Sequence, residues 1–135
     1  SLREKMKTMY GETLSLKQFG VEEPKEHDDF LARYIEIVKA NISNPELDVS
    51  VIYEALGMSR TNFYRKVKTV TGLSPIELIK NIRLEAGAKL LKESDMNVSE
   101  IAQHIGFSSR SYFARSFKAV YGMSPTEYQE TESQN

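Results

Sequence analysis

One pattern occurs twice in this chain, and it limits the folds available more than any other feature. Gly57-x-Ser59 leads to Gly72-x-Ser74-Pro75, and Gly106-x-Ser108 leads to Gly122-x-Ser124-Pro125. The turns lie 49 residues apart and the exits 50 apart, so the second copy carries one added residue. In the first copy, Leu56 ends a short amphipathic segment, Gly57 makes a turn that a Cβ would obstruct, and Ser59 suits the N-cap of the next helix. Phe63, Val67 and Val70, at i, i+4 and i+7, form an inward stripe, while Thr61, Tyr64, Arg65 and Lys68 face the other way. In the second copy Val98–Ser108 aligns with Val49–Ser59. Phe113, Phe117 and Val120 repeat the inward stripe and leave Arg110, Ser111, Ala114, Arg115 and Lys118 outward. Two units are too few for a solenoid.

The exits predict what joins the units. Gly72 ends the second helix of the first unit as a C′ residue. Ser74-Pro75-Ile76-Glu77 is a capping box with Pro at the first helical position, and Ser124-Pro125-Thr126-Glu127 repeats it. One long helix is expected over residues 75–91, with Ile79, Ile82, Leu84, Ala88 and Leu91 apolar. Its 17 residues would span about 25 Å at ~1.5 Å each, a spacer of the order needed to hold two helices ~34 Å apart, one turn of duplex DNA. Upstream, a helix is expected from about Asp28 to Asn41, capped by the Asp28–Asp29 pair and carrying Phe30, Tyr34, Ile37 and Val38 as its core stripe. The turn Asn44-Pro45-Glu46 then leads to the scaffold helix from Val49 to Leu56.

The fold class read from this pattern is all-α, with two helix-turn-helix subdomains joined by a long linker helix. The first unit covers residues 28–73 and the second 96–128. Residues 1–27 are expected to be a linker from an upstream domain, the alternative being a helix packed on this one, and residues 129–135 a disordered tail.

Composition excludes several classes. There is no Cys, so no disulfide scaffold, thiol nucleophile or thiolate metal site is available. No apolar run approaches the ~18 residues of a membrane span, which suits a cytoplasmic protein without membrane contact. His27 and His104 lack any paired ligand spacing, so neither metal nor cofactor is expected. No phosphate loop, nucleophile elbow or convergent acid cluster suggests an enzyme. A net charge of −1 argues at first against nucleic acid, but the charges are segregated. Arg60, Arg65, Lys66, Lys68, Lys80 and Arg83 stand against Glu77 alone between residues 58 and 83, and Arg110, Arg115 and Lys118 have no acid beside them between 107 and 122. The acids gather upstream (Glu22, Glu23, Glu26, Asp28, Asp29) and in the tail (Glu127, Glu130, Glu132). A nearly neutral chain polarised in this way can bind DNA through one positive face.

The Gly-x-Ser turns, the paired Gly-x-Ser-Pro exits and the intervening Arg83-Leu84 segment together resemble the DNA-binding domain of AraC/XylS-type transcription regulators, over roughly residues 28–128. The Met58-Ser59-Arg60-x-x-Phe63-Tyr64-Arg65-Lys66 run looks most like the output domains of bacterial hybrid two-component regulators. The resemblance implies sequence-specific binding of double-stranded DNA in transcription regulation, with two recognition helices (about 60–70 and 110–120) reading successive major grooves. It also implies a dimeric full-length protein that presents two copies of the domain to neighbouring sites. This stretch alone offers no heptad seam or large apolar face and is expected to be a monomer. Two positions depart from the family pattern: Tyr53 replaces a small residue that Ala102 keeps in the second unit, and Gly87 replaces an Ala in the long helix. Gly87 is expected to weaken that helix by roughly 1 kcal/mol.

Arg65 and Arg115, equivalent in the two units, are candidates for bidentate contact with guanine O6 and N7; the alternatives are a phosphate contact or a solvated charge. Arg60, Thr61, Tyr64, Arg110 and Ser111 complete the base-edge candidates, together with Ala114, which could touch a thymine methyl or simply give clearance. Ser59, Asn62, Lys66, Lys68, Ser108, Ser116 and Lys118 are assigned to phosphates. Arg83 is read as structural, pairing with a nearby acid, rather than as a backbone contact. The rival function is a helical protein-interaction module with a helix-turn-helix shape that does not read DNA. Such a surface should be apolar or mixed in sign, whereas both outward faces here are basic and free of acids.

Overall fold

The structure, a computed structural model, describes residues 25–131. Among these there are seven helices: α1 Lys25–Ala40, α2 Val49–Ala55, α3 Arg60–Thr71, α4 Pro75–Glu93, α5 Val98–His104, α6 Arg110–Tyr121 and α7 Pro125–Glu130. The all-α reading and the two helix-turn-helix subdomains stand. Helices α2–α3 and α5–α6 form the two units, and α4 runs between them as the linker. It is two residues longer than expected, ending at Glu93. The first helix begins at Lys25, earlier than expected, so the Asp28–Asp29 pair lies inside it and not at its cap. The linker reading of residues 1–24 lies outside the described residues.

Local chemistry explains where the helices stop and start. Asp48 caps α2 by accepting the amide of Ser50 (3.2 Å), and Ser59 caps α3 by accepting that of Asn62 (3.2 Å). The boxes at Ser74–Glu77 and Ser124–Glu127 are closed in both directions, and Asn97–Glu100 forms a third at α5. These bonds to amides hold the Glu77 and Glu127 carboxyls below the usual carboxylate range. Gly72 and Gly122 end α3 and α6 at φ 77° and 79°, a left-handed conformation that a side chain would strain.

Each unit has its own core. In the first, Leu31, Tyr34, Ile35 and Val38 from α1 pack with Ile52, Phe63, Val67 and Leu78. Leu31 and Ile35 share the inward face of α1, whereas Ile37, assigned to it from periodicity, is only half-buried. Val70 is likewise half-buried at the edge of its stripe. Tyr34 stacks on Phe63 at 5.6 Å and donates its hydroxyl to the carbonyl of Pro75 at 2.8 Å, tying α1 to the start of α4. Burial pushes its phenol pKa up. Tyr53, the residue out of pattern, fits at the rim of this core with its ring 5.7 Å from Phe63. The second core gathers Leu84, Leu91, Ile101, Ile105, Phe113, Phe117 and Tyr121, with Tyr121 stacked on Phe117 at 4.4 Å. The tail is ordered further than expected: α7 runs to Glu130, and Lys92 donates to the carbonyl and hydroxyl of Thr131.

Candidate nucleic-acid interface

Helices α3 and α6 are twins of 12 residues, each capped by Ser at the start and by left-handed Gly at the end. The cap of α6 is Ser109, whose hydroxyl accepts the Tyr112 amide at 3.0 Å, and not Ser108. The added residue of the second copy therefore falls before the helix. From the cap onward the helices correspond at a constant offset of 50: Ser59 with Ser109, Arg60 with Arg110, Arg65 with Arg115, and Lys68 with Lys118.

In α3, Arg60, Thr61, Asn62, Arg65 and Lys68 are exposed. Tyr64 is not fully outward: it is half-buried against the edge of Phe63 (6.0 Å), and the Arg60 guanidinium lies over its ring at 4.6 Å. The phenol thus orients Arg60 more than it presents an edge of its own. Lys66 is half-buried on the flank, with its ammonium 4.9 Å from the Phe30 ring, and Lys68 donates to the Gly72 carbonyl at 3.0 Å. Ser59 spends an oxygen lone pair on its cap, which leaves the O–H free to donate.

In α6, Arg110, Ser111, Arg115 and Lys118 are exposed and Ala114 is half-buried. Arg110 is braced on α5 by a 3.2 Å bond to Ser99 Oγ. Ser108 is exposed just outside the cap. Ser116 is 5% exposed, on the inner side of α6 with Phe113 and Phe117, and cannot reach a phosphate. Its assignment from sequence is corrected. The small side chain fits the packed face, a position that α3 fills with the flanking Lys66.

Two residues outside the sequence-derived set join the positive face. Tyr112, 39% exposed, has the Lys80 ammonium 5.4 Å and the Arg115 guanidinium 6.0 Å from its ring centre. Lys80 comes from α4, so the linker adds a cation beside the start of α6. The position of Lys80 in the cation-rich run was its signal in the sequence.

Arg83 is buried in α4 and is structural, but no acid holds it. Its Nη1 donates to the carbonyls of Ile42 and Ile105, both at 2.7 Å, and its Nη2 to that of Asn44 at 2.8 Å. Burial lowers its pKa. Among the described residues no group of three His, Cys, Asp or Glu side chains could hold a metal, and no helix is long and apolar enough to cross a membrane.

A family described as a helix-turn-helix domain matches residues 52–131. The chain is 35% identical over 107 residues to a protein named histidine kinase P4 of Formosa agariphila, covering 79% of this chain and 8% of that protein. It is similar to the C-terminal domain of AraT, a response regulator from Geobacillus stearothermophilus, at a TM-score of 0.67 and 29% identity, covering 78% of this chain and 88% of the other. It is similar also to the DNA-binding domain of AdpA, a global transcriptional factor solved with a target DNA, at a TM-score of 0.66 and 28% identity, covering 73% and 88%. The chain spans less than half the length of the curated relatives it matches. With two capped helix-turn-helix units on one linker helix, the chain belongs to the helix-turn-helix family of AraC-type DNA-binding domains found in transcription regulators.

Proposed function

We propose that α3 and α6 enter successive major grooves of one face of a duplex, and that the chain reads a bipartite sequence there. The observation that carries this is the recurrence of one exposed set, Arg60/Arg110, Arg65/Arg115 and Lys68/Lys118, at one register on two identically capped helices. A protein-docking face has no need to repeat a basic, acid-free pattern at that register. Arg65 and Arg115 sit centrally and can each fork onto a guanine, while Arg60, Thr61, Arg110 and Ser111 reach the flanking base edges. Tyr64 and Ala114 occupy the equivalent half-buried flank, where an aromatic can brace Arg60 and a methyl group can meet a thymine. Ser59, Asn62, Lys66, Lys68, Ser108 and Lys118 hold phosphates, with Lys80 added to them. The role is binding and not catalysis.

For the whole protein we infer a cytoplasmic regulator of the two-component type, in which residues 28–128 are the output domain and pairing is supplied from elsewhere. Similarity to a response-regulator domain and to part of a histidine kinase supports this. Selection of bound sequences from a random duplex pool, followed by footprinting, tests the reading. Two protected major-groove patches about 10 base pairs apart are expected. About 5 to 8 phosphate contacts should give a log–log salt slope of roughly −5 to −7. An affinity that hardly changes between low and physiological salt would refute it.

A further inference from the structure

We propose that Arg83 sets the spacing and angle between the two recognition helices, and so selects the base-pair separation of the half-sites the chain accepts, without touching DNA. The second part rests on the DNA reading above; the first does not.

The two cores meet at this residue. Ile82 belongs to the first core and Leu84 to the second, so the Arg83 side chain leaves α4 at their boundary. Its three acceptors come from both units: Ile42 and Asn44 follow the end of α1, and Ile105 is the C-cap of α5. The Tyr34 hydroxyl joins the first unit to α4 and the Lys92 ammonium joins α4 to the second; the Arg83 guanidinium bonds to both units at once. The Ile105 carbonyl lies at the negative end of the α5 dipole, and the buried cation satisfies it together with the two turn carbonyls that follow α1. The planar fork of Arg sends N–H groups in several fixed directions, which a Lys ammonium on a flexible stem cannot reproduce. Gly106 shows how closely the clamp is built. Its φ is +85°, and a Cβ there would fall 1.4 Å from Arg83 Nη1. The turn of the second helix-turn-helix therefore presses its bare backbone against the guanidinium, and α6 follows that turn directly. Any change in how Arg83 sits moves α6 relative to α1 and, through the first core, relative to α3.

The chain has no Cys, so cysteines placed at Thr69 and Ala119, exposed and equivalent on the two recognition helices, can carry spin labels without background. In the unaltered clamp the pulsed-dipolar distance distribution should be single and narrow; in Arg83→Lys it should broaden or shift. On duplexes carrying the selected bipartite site with its halves moved one base pair at a time, each step displaces one half by about 3.4 Å and about 34°. The wild type should lose affinity about tenfold or more at the first step and then level off at its single half-site affinity, because one helix can no longer engage. Arg83→Lys should stay within about threefold across neighbouring spacings and bind a single half-site as the wild type does. If Lys at 83 unfolds the chain in a thermal melt, Arg83→Met, which removes the buried charge and keeps the stem, takes its place. A folded variant with an unchanged distance distribution would overturn the clamp, as would an unchanged spacing profile for its role in site choice. If the wild type binds no duplex at all, the DNA reading and the half-site role fall together, while the label distances still decide whether Arg83 holds the two units.

Discussion

Gly87 lies directly under the ring of Phe113: a Cβ on the glycine would come within 3.1 Å of Phe113 Cε1 and 2.9 Å of Ile105 Cδ1. Phe113 is fully buried and cannot swing aside, whereas the end of Ile105 has some freedom. Helix propensity alone favours Ala here by about 1 kcal/mol, but overpacking costs typically ~1–3 kcal/mol. Gly87→Ala should therefore lower the melting temperature slightly, and Gly87→Val should lower it much more. A higher melting temperature for Gly87→Ala would mean that α4 and α6 are not in such close contact.

The two adjacent serines before α6 separate by function. Ser109 Oγ accepts the Tyr112 amide, and Ser108 makes no such bond. Ser109→Ala should cost ~1 kcal/mol of stability, in the usual range for a lost N-cap. Ser108→Ala should leave the melt unchanged. If thermal denaturation reverses the two, the added residue of the second copy lies inside the helix after all.

Much of this was legible in the sequence. Phe63, Val67, Phe113 and Phe117 announce their inward stripes by spacing, and Ser74-Pro75 and Ser124-Pro125 mark helix starts because the cap chemistry is local. The errors arise where tertiary packing overrides a local rule. Ser116 looks like a surface hydroxyl, yet a small polar residue fits a tightly packed face. Ser108 and Ser109 are equally good caps by composition, and only the geometry chooses between them. Leu31 and Ile35 join Phe30, Tyr34 and Val38 in the α1 core, and Ile37 packs against its edge, because the buried face of α1 is wider than the stripe read from spacing. Arg83 is the extreme case. Its acceptors are backbone carbonyls 41, 39 and 22 residues away, and no residue-type pattern records a carbonyl.

Glu85 gives a pH-dependent test of the packing behind the interface. It is half-buried on α4, beside Lys39, Lys89 and Glu93. Burial raises its carboxyl pKa; Lys39 and Lys89 pull it back, and Glu93 adds to the rise. A carboxyl raised in the folded state binds its proton more tightly there than in the unfolded chain, so ionised Glu85 costs stability. That cost is fully present above the folded pKa and vanishes as pH falls below the unfolded value of about 4.3. Glu85→Gln should melt higher than the wild type at pH 7, with the gap closing near pH 4. A variant less stable at pH 7 would show that the lysines outweigh burial.

Arg65→Ala and Lys68→Ala should fail in different ways. Arg65 is exposed at the middle of the outward face of α3, one turn beyond Thr61, where a helix in a groove approaches the bases most closely. Lys68 stands nearer the C-terminal end and reaches back to the Gly72 carbonyl, where the helix leaves the groove beside the backbone. Loss of a guanine fork at 65 should cost ~1–3 kcal/mol on the selected site and flatten the preference at one base position. Loss of Lys68 should weaken all duplexes about equally and reduce the salt slope by about one unit. Both chains should fold, since neither side chain enters the Phe63–Val67 core; Lys68→Ala alone should melt a little lower, because the Gly72 carbonyl loses its donor. Binding to specific and non-specific duplexes over a range of salt separates the two roles. If Arg65→Ala weakens both kinds of duplex by the same factor, Arg65 belongs with the phosphate contacts and α3 reads sequence through Arg60 and Thr61.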